Sequence, residues 1–408
     1  MTRSSSDGRS LLELRPSSRV TSSSRRDLAL GRKGFRPFFL LAAAYALAGV
    51  PSWVLVFSGH VPLATTLSAQ TWHAHEMLFG YAAAVVAGFL LTAVANWTKR
   101  ETLVGAPLLG LAALWVLGRI VLVSPSLAPG VAAAIDLAFL PAVALAIARP
   151  IVGTGNRRNF VMVGVLLGLT ASNAVVHLDA LGVLAGLGRR ATLAALHLIV
   201  LLMLLISTRV LPMFTRNALA EPSVRSLPAL DRAALATTVC AALADLTWGD
   251  AFATPWLCGA AALLVALRTR YWGSRAALRE PMLWILHLGH AWIAVGLLLK
   301  AMTPLAPVLG SSAIHAFTAG ALGCLSLGMM VRVTLGHTGR MIVASASTRA
   351  AFVAMLAAGV VRVAAPLVPL PYLWVLGLSA AAWALAFALF LREFAPMLVK
   401  PRVDGAAG

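Results

Sequence analysis

The chain has 408 residues, of which 60% are hydrophobic and only 12% charged, and its mean hydropathy is +0.87; these values exclude an ordinary soluble globular protein. A helix needs about 20 mainly apolar residues to cross the roughly 30 Å hydrocarbon layer, so the succession of apolar segments reads as an all-α, polytopic membrane helix bundle. The net charge of +19 does not mark a nucleic-acid partner, because the arginines recur between apolar segments instead of gathering on one basic face.

In chain order, residues 1–36 are Ser/Arg-rich and poor in aromatics, the composition of a disordered basic tail. The stretch SSRRDLAL resembles a twin-arginine export signal only slightly, since the apolar run after it is of span length and lacks a small-residue cleavage site. About twelve spans are expected within a single transmembrane domain, residues 37–395: 37–57, 74–96, 104–123, 128–148, 160–181, 191–211, 233–249, 254–270, 282–301, 312–334, 349–367 and 371–392. The two spans at 233–249 and 254–270 are short: the stretch LADLTWGDAF carries Asp245 and Asp250, and the connection after it is tight. Residues 396–408 form a short second tail.

Loop charge orients the bundle. Lys99, Arg100, Arg149, Arg157, Arg158, Arg268, Arg340 and Lys400 fall on the side of the termini, whereas the other side has only Arg189, Arg190, Lys300 and Arg362. By the positive-inside rule both termini are cytoplasmic. Cys240, Cys258 and Cys324 lie in apolar segments without CxxC spacing, so they suggest neither a disulfide framework nor a thiolate metal site.

Ionisable groups inside spans are costly, which makes each a candidate functional residue. With this orientation His73, His75 and Glu76 open the second span at its outer end, and His177 and Asp179 close the fifth there. His197 lies about two turns below the outer end of the sixth span, and His315 opens the tenth. Imidazoles arriving from different helices in one leaflet are what an intramembrane metal or haem site requires, with a carboxylate such as Glu76 or Asp179 holding a second ring nitrogen. The alternative is a set of unrelated interfacial histidines, each bonded to a carbonyl or to water. His73 and Glu76, three apart, share a helix face, whereas His75 points across the helix from His73, so the two histidines cannot serve one metal. Arg119, near the outer end of the third span, is an anion or propionate partner for this group, or a snorkelling anchor. A second pair, His287 and His290, lies lower on one face of the ninth span; His290 is the candidate ligand of the two.

Aligned on histidine, the stretches beginning at His75 and His315 match at Gly80/Gly320, Gly88/Gly328, Thr98/Thr338 and Arg100/Arg340, the pattern of a parallel repeat. No nucleotide-binding glycine loop, GxSxG or HExxH is present. The adjacent His-His pair and His-Pro-Glu-Val-Tyr segment of the twelve-span haem-copper oxidases are also missing.

The segments GFRPFFLLAA, WHAHEMLFGYAAAVVAGFLLTAVANWT, LPMFTRNA and HAFTAGALGCLSLGMMVRVTLGHTGR occur in this order, and over about residues 34–395 the chain resembles the NnrS family. That resemblance implies a bacterial inner-membrane protein containing haem and copper, linked to denitrification and nitric oxide resistance, with nitric oxide as a small ligand and an electron donor of unknown identity. It points at His73, His75, Glu76, Asn96, Arg216, Asn217, His315, His337 and Arg340 without saying which are ligands. His73, His75, His197 and His315 are the expected metal or haem ligands; Glu76, Asn96, Arg216, Asn217, His337 and Arg340 are expected in support. The competing expectations are a binding or sensing protein without turnover and a proton-coupled transporter.

Overall fold

The computed structural model describes residues 29–124, 126–220 and 223–406. Among these every regular element is helical, as a bilayer demands of a chain that must satisfy its backbone groups within each segment. Twelve helices of 16 residues or more follow one another: α1 (Phe35–Phe57), α2 (Ala69–Thr98), α3 (Ala106–Val121), α4 (Pro129–Gly153), α5 (Arg157–Ala180), α6 (Gly188–Leu219), α7 (Pro228–Trp248), α8 (Thr254–Thr269), α9 (Pro281–Ala301), α10 (Leu309–His337), α11 (Ala346–Ala364) and α12 (Tyr372–Val399). Sequence neighbours pack against each other, and α1 closes the bundle against α12.

Nine of the described helices are long and apolar enough to cross a membrane. The expectation of twelve spans is therefore met by nine, with three falling short for two reasons. Helices α3 and α8 have 16 residues each, only about 24 Å at 1.5 Å per residue. Helix α7 carries Asp231, Arg232 and Asp245.

Packed residues lie beyond 37–395 at both ends. Ala29 and Phe35 are buried, and so is Arg36, whose Nη1 donates to the carbonyls of Met397 at 3.2 Å, Leu398 at 3.0 Å and Lys400 at 2.8 Å. A guanidinium there satisfies the open carbonyls at the end of α12, so the packed bundle takes in residues assigned by composition to the tail. Residues 1–28, the remainder of that tail, lie outside the described residues. At the other end α12 runs past 395 to Val399, and the Val403 amide donates to the Thr338 carbonyl at 3.2 Å.

The repeat is visible in backbone geometry. In α2 an α-helical turn ending at His75 passes into a π-helical segment, Glu76–Ala82, before α-helix resumes at Ala83. In α10 the turn ends at His315, the π segment is Ala316–Leu322, and α-helix resumes at Gly323. The offset is the same as in the sequence alignment. A π segment widens the turn and changes which way the residues before it face relative to those after it, and such segments concentrate at functional sites.

The aligned glycines Gly80 and Gly320 sit in these segments. A Cβ at Gly80 would stand 3.1 Å from Arg119 Nη1 and 3.2 Å from Glu76 Oε2; one at Gly320 would stand 2.5 Å from the Trp292 ring. Close approach of helices in lipid depends on such small residues. Gly320→Ala is expected to lower stability by about 1–3 kcal/mol, read as earlier thermal unfolding in detergent; wild-type unfolding would show that Trp292 yields freely.

Candidate functional site

Two groups of polar side chains form near the ends of the helices away from the termini, and the opening turn of α2 feeds both. His73 and His75 are two residues apart, so they leave the helix in opposite directions.

His75 enters a buried ionic network. Its Nδ1 lies 2.9 Å from Glu76 Oε1, and its Nε2 lies 2.9 Å from Asn173 Oδ1 and 3.2 Å from Asp136 Oδ2. His177 Nε2 is 3.0 Å from the same Asp136 oxygen, and the Asn173 amide donates to it at 2.8 Å. Arg119 joins the two carboxylates: Nη1 donates to Glu76 at 2.7 Å and Nη2 to Asp136 Oδ1. The Tyr45 hydroxyl donates to Glu76 Oε2. His75, Glu76, Arg119, Asp136, Asn173 and His177 are all buried.

The charges balance: both ring nitrogens of His75 face oxygen acceptors and so both carry protons, and this imidazolium with the Arg119 guanidinium matches the two carboxylates, as burial of charge requires. One nitrogen each from His75 and His177 and one oxygen of Asp136 lie within 4.8 Å of one another. An ion with bonds of about 2.0–2.2 Å in tetrahedral array separates its ligand atoms by roughly 3.3 Å, close to the 3.0 and 3.2 Å contacts already present. Two imidazoles with one carboxylate suit a first-row transition metal. Glu76 and Asn173 would then orient His75, as outer-shell partners do.

His73 faces the other way, into a small cleft of about 60 Å³ between α1, α2, α10, α11 and α12. His73, Met77, His315, Arg362 and Trp383 are among its lining residues. The His73 ring stacks on Trp53 with centroids 4.5 Å apart, and its Nδ1 is buried without a hydrogen-bond partner among the described residues. His315 Nδ1 lies 2.8 Å from the Ser311 carbonyl, which can only accept, so that nitrogen carries the proton. Its Nε2 is then the free lone pair, the form in which a histidine binds metal. Arg362 lies over the Tyr372 ring at 5.8 Å and keeps a buried Nη1 without a partner. Two imidazoles, apolar walls and one cation are the donor types that a haem with its propionates would call on.

The other expected residues are placed elsewhere. His197 Nε2 meets Asp245 at 2.9 Å, and Lys300 joins Asp245 and Asp250, each at 2.7 Å. His290 Nε2 faces the guanidinium of Arg268 at 3.2 and 3.4 Å; since that group only donates, this lone pair is taken. His287 is held between Thr215 and Ser274, both at 2.8 Å. Arg119, expected as a propionate partner, is engaged by Glu76 and Asp136, and Arg362 is the arginine that lines the cleft. Asp179, expected to hold a ring nitrogen, instead accepts from the Gly186 amide at 2.6 Å, because it caps the turn between α5 and α6.

Asn96, Arg216, Asn217, His337 and Arg340 lie toward the terminal face. Asn96 is 21 residues beyond His75, about 30 Å along the helix. Its Nδ2 is 3.5 Å from His337 Nε2, Arg216 donates to the Val224 carbonyl at 2.8 and 3.1 Å, Arg340 donates to the Thr338 carbonyl at 3.3 Å, and Asn217 is exposed. Sequence reasoning missed Asp136, Asn173, Tyr45 and, as a cleft residue, Arg362. Asp136 had a signal: it is a lone carboxylate inside an apolar segment. Asn173 had one too, standing four residues before His177 on the same face.

A family model described as "NnrS protein" matches residues 29–402. No curated protein matches the chain.

Proposed function

The chain belongs to the NnrS family, and from that membership together with its two histidine sites we propose that it binds haem and copper in a bacterial inner membrane and acts in resistance to nitric oxide, in association with denitrification. The observation that carries the proposal is the cleft, where His73 and His315 arrive from different helices beside Arg362 within apolar walls. Haem would be held there by His73 and His315, with Arg362 meeting a propionate. Copper would be held by His75, His177 and Asp136, a buried set whose three ligand atoms lie within 4.8 Å of one another.

Bound haem supplies an iron that takes nitric oxide as a ligand. The chain's own residues do the rest: the Ser311 carbonyl fixes the His315 tautomer, Trp53 holds the plane of His73, and the apolar walls exclude water. Nitric oxide partitions into apolar regions, so a cleft at membrane depth meets it without an aqueous channel.

The test is purification from haem- and copper-replete cells. A Soret band with stoichiometric copper is expected, and a colourless, metal-free protein refutes the reading. Anaerobic loss of nitric oxide with a reductant then separates catalysis from binding, since a non-catalytic protein takes up one or two equivalents and stops. The proposed orientation, with both termini cytoplasmic, is tested by reporter fusions at each end.

A further inference from the structure

On the terminal face, the loop after α2 and the last turns of α4 enclose an open pocket of about 250 Å³ lined by residues that include Arg100, Glu101, Thr102, Leu103 and Arg149. A Cβ at Gly153 would stand 2.7 Å from Arg100 Nη1, so Arg100 lies against the bare backbone of α4. Arg149 is four residues earlier and on the same face, about 6 Å along the helix. The two guanidiniums therefore share one end of α4.

Neither is neutralised from within. Glu101, the carboxylate of the pocket, is drawn to Lys33 at 2.8 Å. Among the described residues Arg100 and Arg149 form no ion pair, and the amides of Thr102 and Leu103 find no protein acceptor. Lys33, Arg100 and Arg149 against Glu101 leave a local charge of about +2. Leu103, Ala146 and Pro150 add apolar surface beside it. A pocket with unpaired arginines, open amide donors and an apolar side, at the level where two spans end, has the chemistry of a phosphodiester site with room for a glycerol backbone.

We propose that this pocket binds the headgroup of an anionic phospholipid such as phosphatidylglycerol. Free phosphate shares the charge but not the apolar contact, so the lipid is the occupant favoured. The site is separate from the haem cleft and from the His75 network, and the proposal stands independently of what they bind.

The test uses the full-length protein in mild detergent. Mixed micelles carry phosphatidylglycerol or phosphatidylcholine, and bound lipid is counted by native mass spectrometry. Wild type is expected to retain phosphatidylglycerol over phosphatidylcholine. Arg100→Gln together with Arg149→Gln should weaken phosphatidylglycerol retention by at least about tenfold, while Arg392→Gln, an exposed arginine of α12, leaves it unchanged. An equal loss in the Arg392 variant, or undiminished retention in the double variant, overturns the site. Inorganic phosphate that displaces the lipid at equal concentration overturns the lipid assignment. Unaltered thermal unfolding in detergent verifies the fold of the double variant.

Discussion

With haem and copper held as proposed, His73→Ala and His315→Ala are each expected to abolish the Soret band, or reduce it by at least about tenfold, while leaving copper bound. Both rings line the cleft, and neither takes part in the ionic network around Asp136. The substitutions differ in their structural side effects. His73 has Trp53 stacked on it, so its loss opens a gap against α1, whereas His315, among the described residues, bonds to its own helix at Ser311. Exogenous imidazole is expected to restore part of the absorbance by filling the vacated position. Retention of a full, unshifted spectrum by both variants excludes the cleft as the haem site. Arg362→Gln is the milder companion: it removes the propionate partner and weakens haem retention without abolishing it.

Asp136→Asn is expected to produce the largest loss of stability. One carboxylate there receives Arg119, His177, Asn173 and His75, and all are buried. Neutralising it leaves Arg119 with Glu76 alone and points an amide N–H toward groups that are themselves donors. Breaking one partner of a buried ion pair costs about 3–5 kcal/mol, and unfolding in detergent should move by a corresponding amount, together with loss of copper. His177→Gln separates the two effects, since it keeps both carboxylates and Arg119 in place. That variant is expected to fold and keep haem but lose most of its copper. Full copper in His177→Gln shows that the metal lies elsewhere; wild-type stability in Asp136→Asn shows that the network is hydrated.

Some of this was legible along the chain. The residue spacing separates His73 from His75, because two residues of helix turn a side chain across to the opposite face whatever surrounds it. The repeat was legible as a few matched glycines and one histidine, but its meaning was not. The aligned residues His75 and His315 enter different sites, one the ionic network and the other the cleft. Asp136 was within reach of the rule that intramembrane carboxylates are functional, and its partner Arg119 was noticed for its charge but assigned to a propionate. The supporting role expected of Asn96, Arg216, Asn217, His337 and Arg340 met a limit of length: these residues stand toward the other ends of their helices from the two groups.

The sequence by itself determined the solvent, the helices and the family, because hydropathy, span length and motif order are local quantities that each segment carries alone. Tertiary structure decided which side chains meet. Helical periodicity fixes the faces of one rod, but the rotation of that rod against its neighbours is set by packing: Gly80 admits Arg119, Trp292 closes on Gly320, and a π segment re-aims each histidine helix. The pairing of His73 with His315, 242 positions along the chain, and of His75 with Asp136 and His177 exists only once those contacts are made.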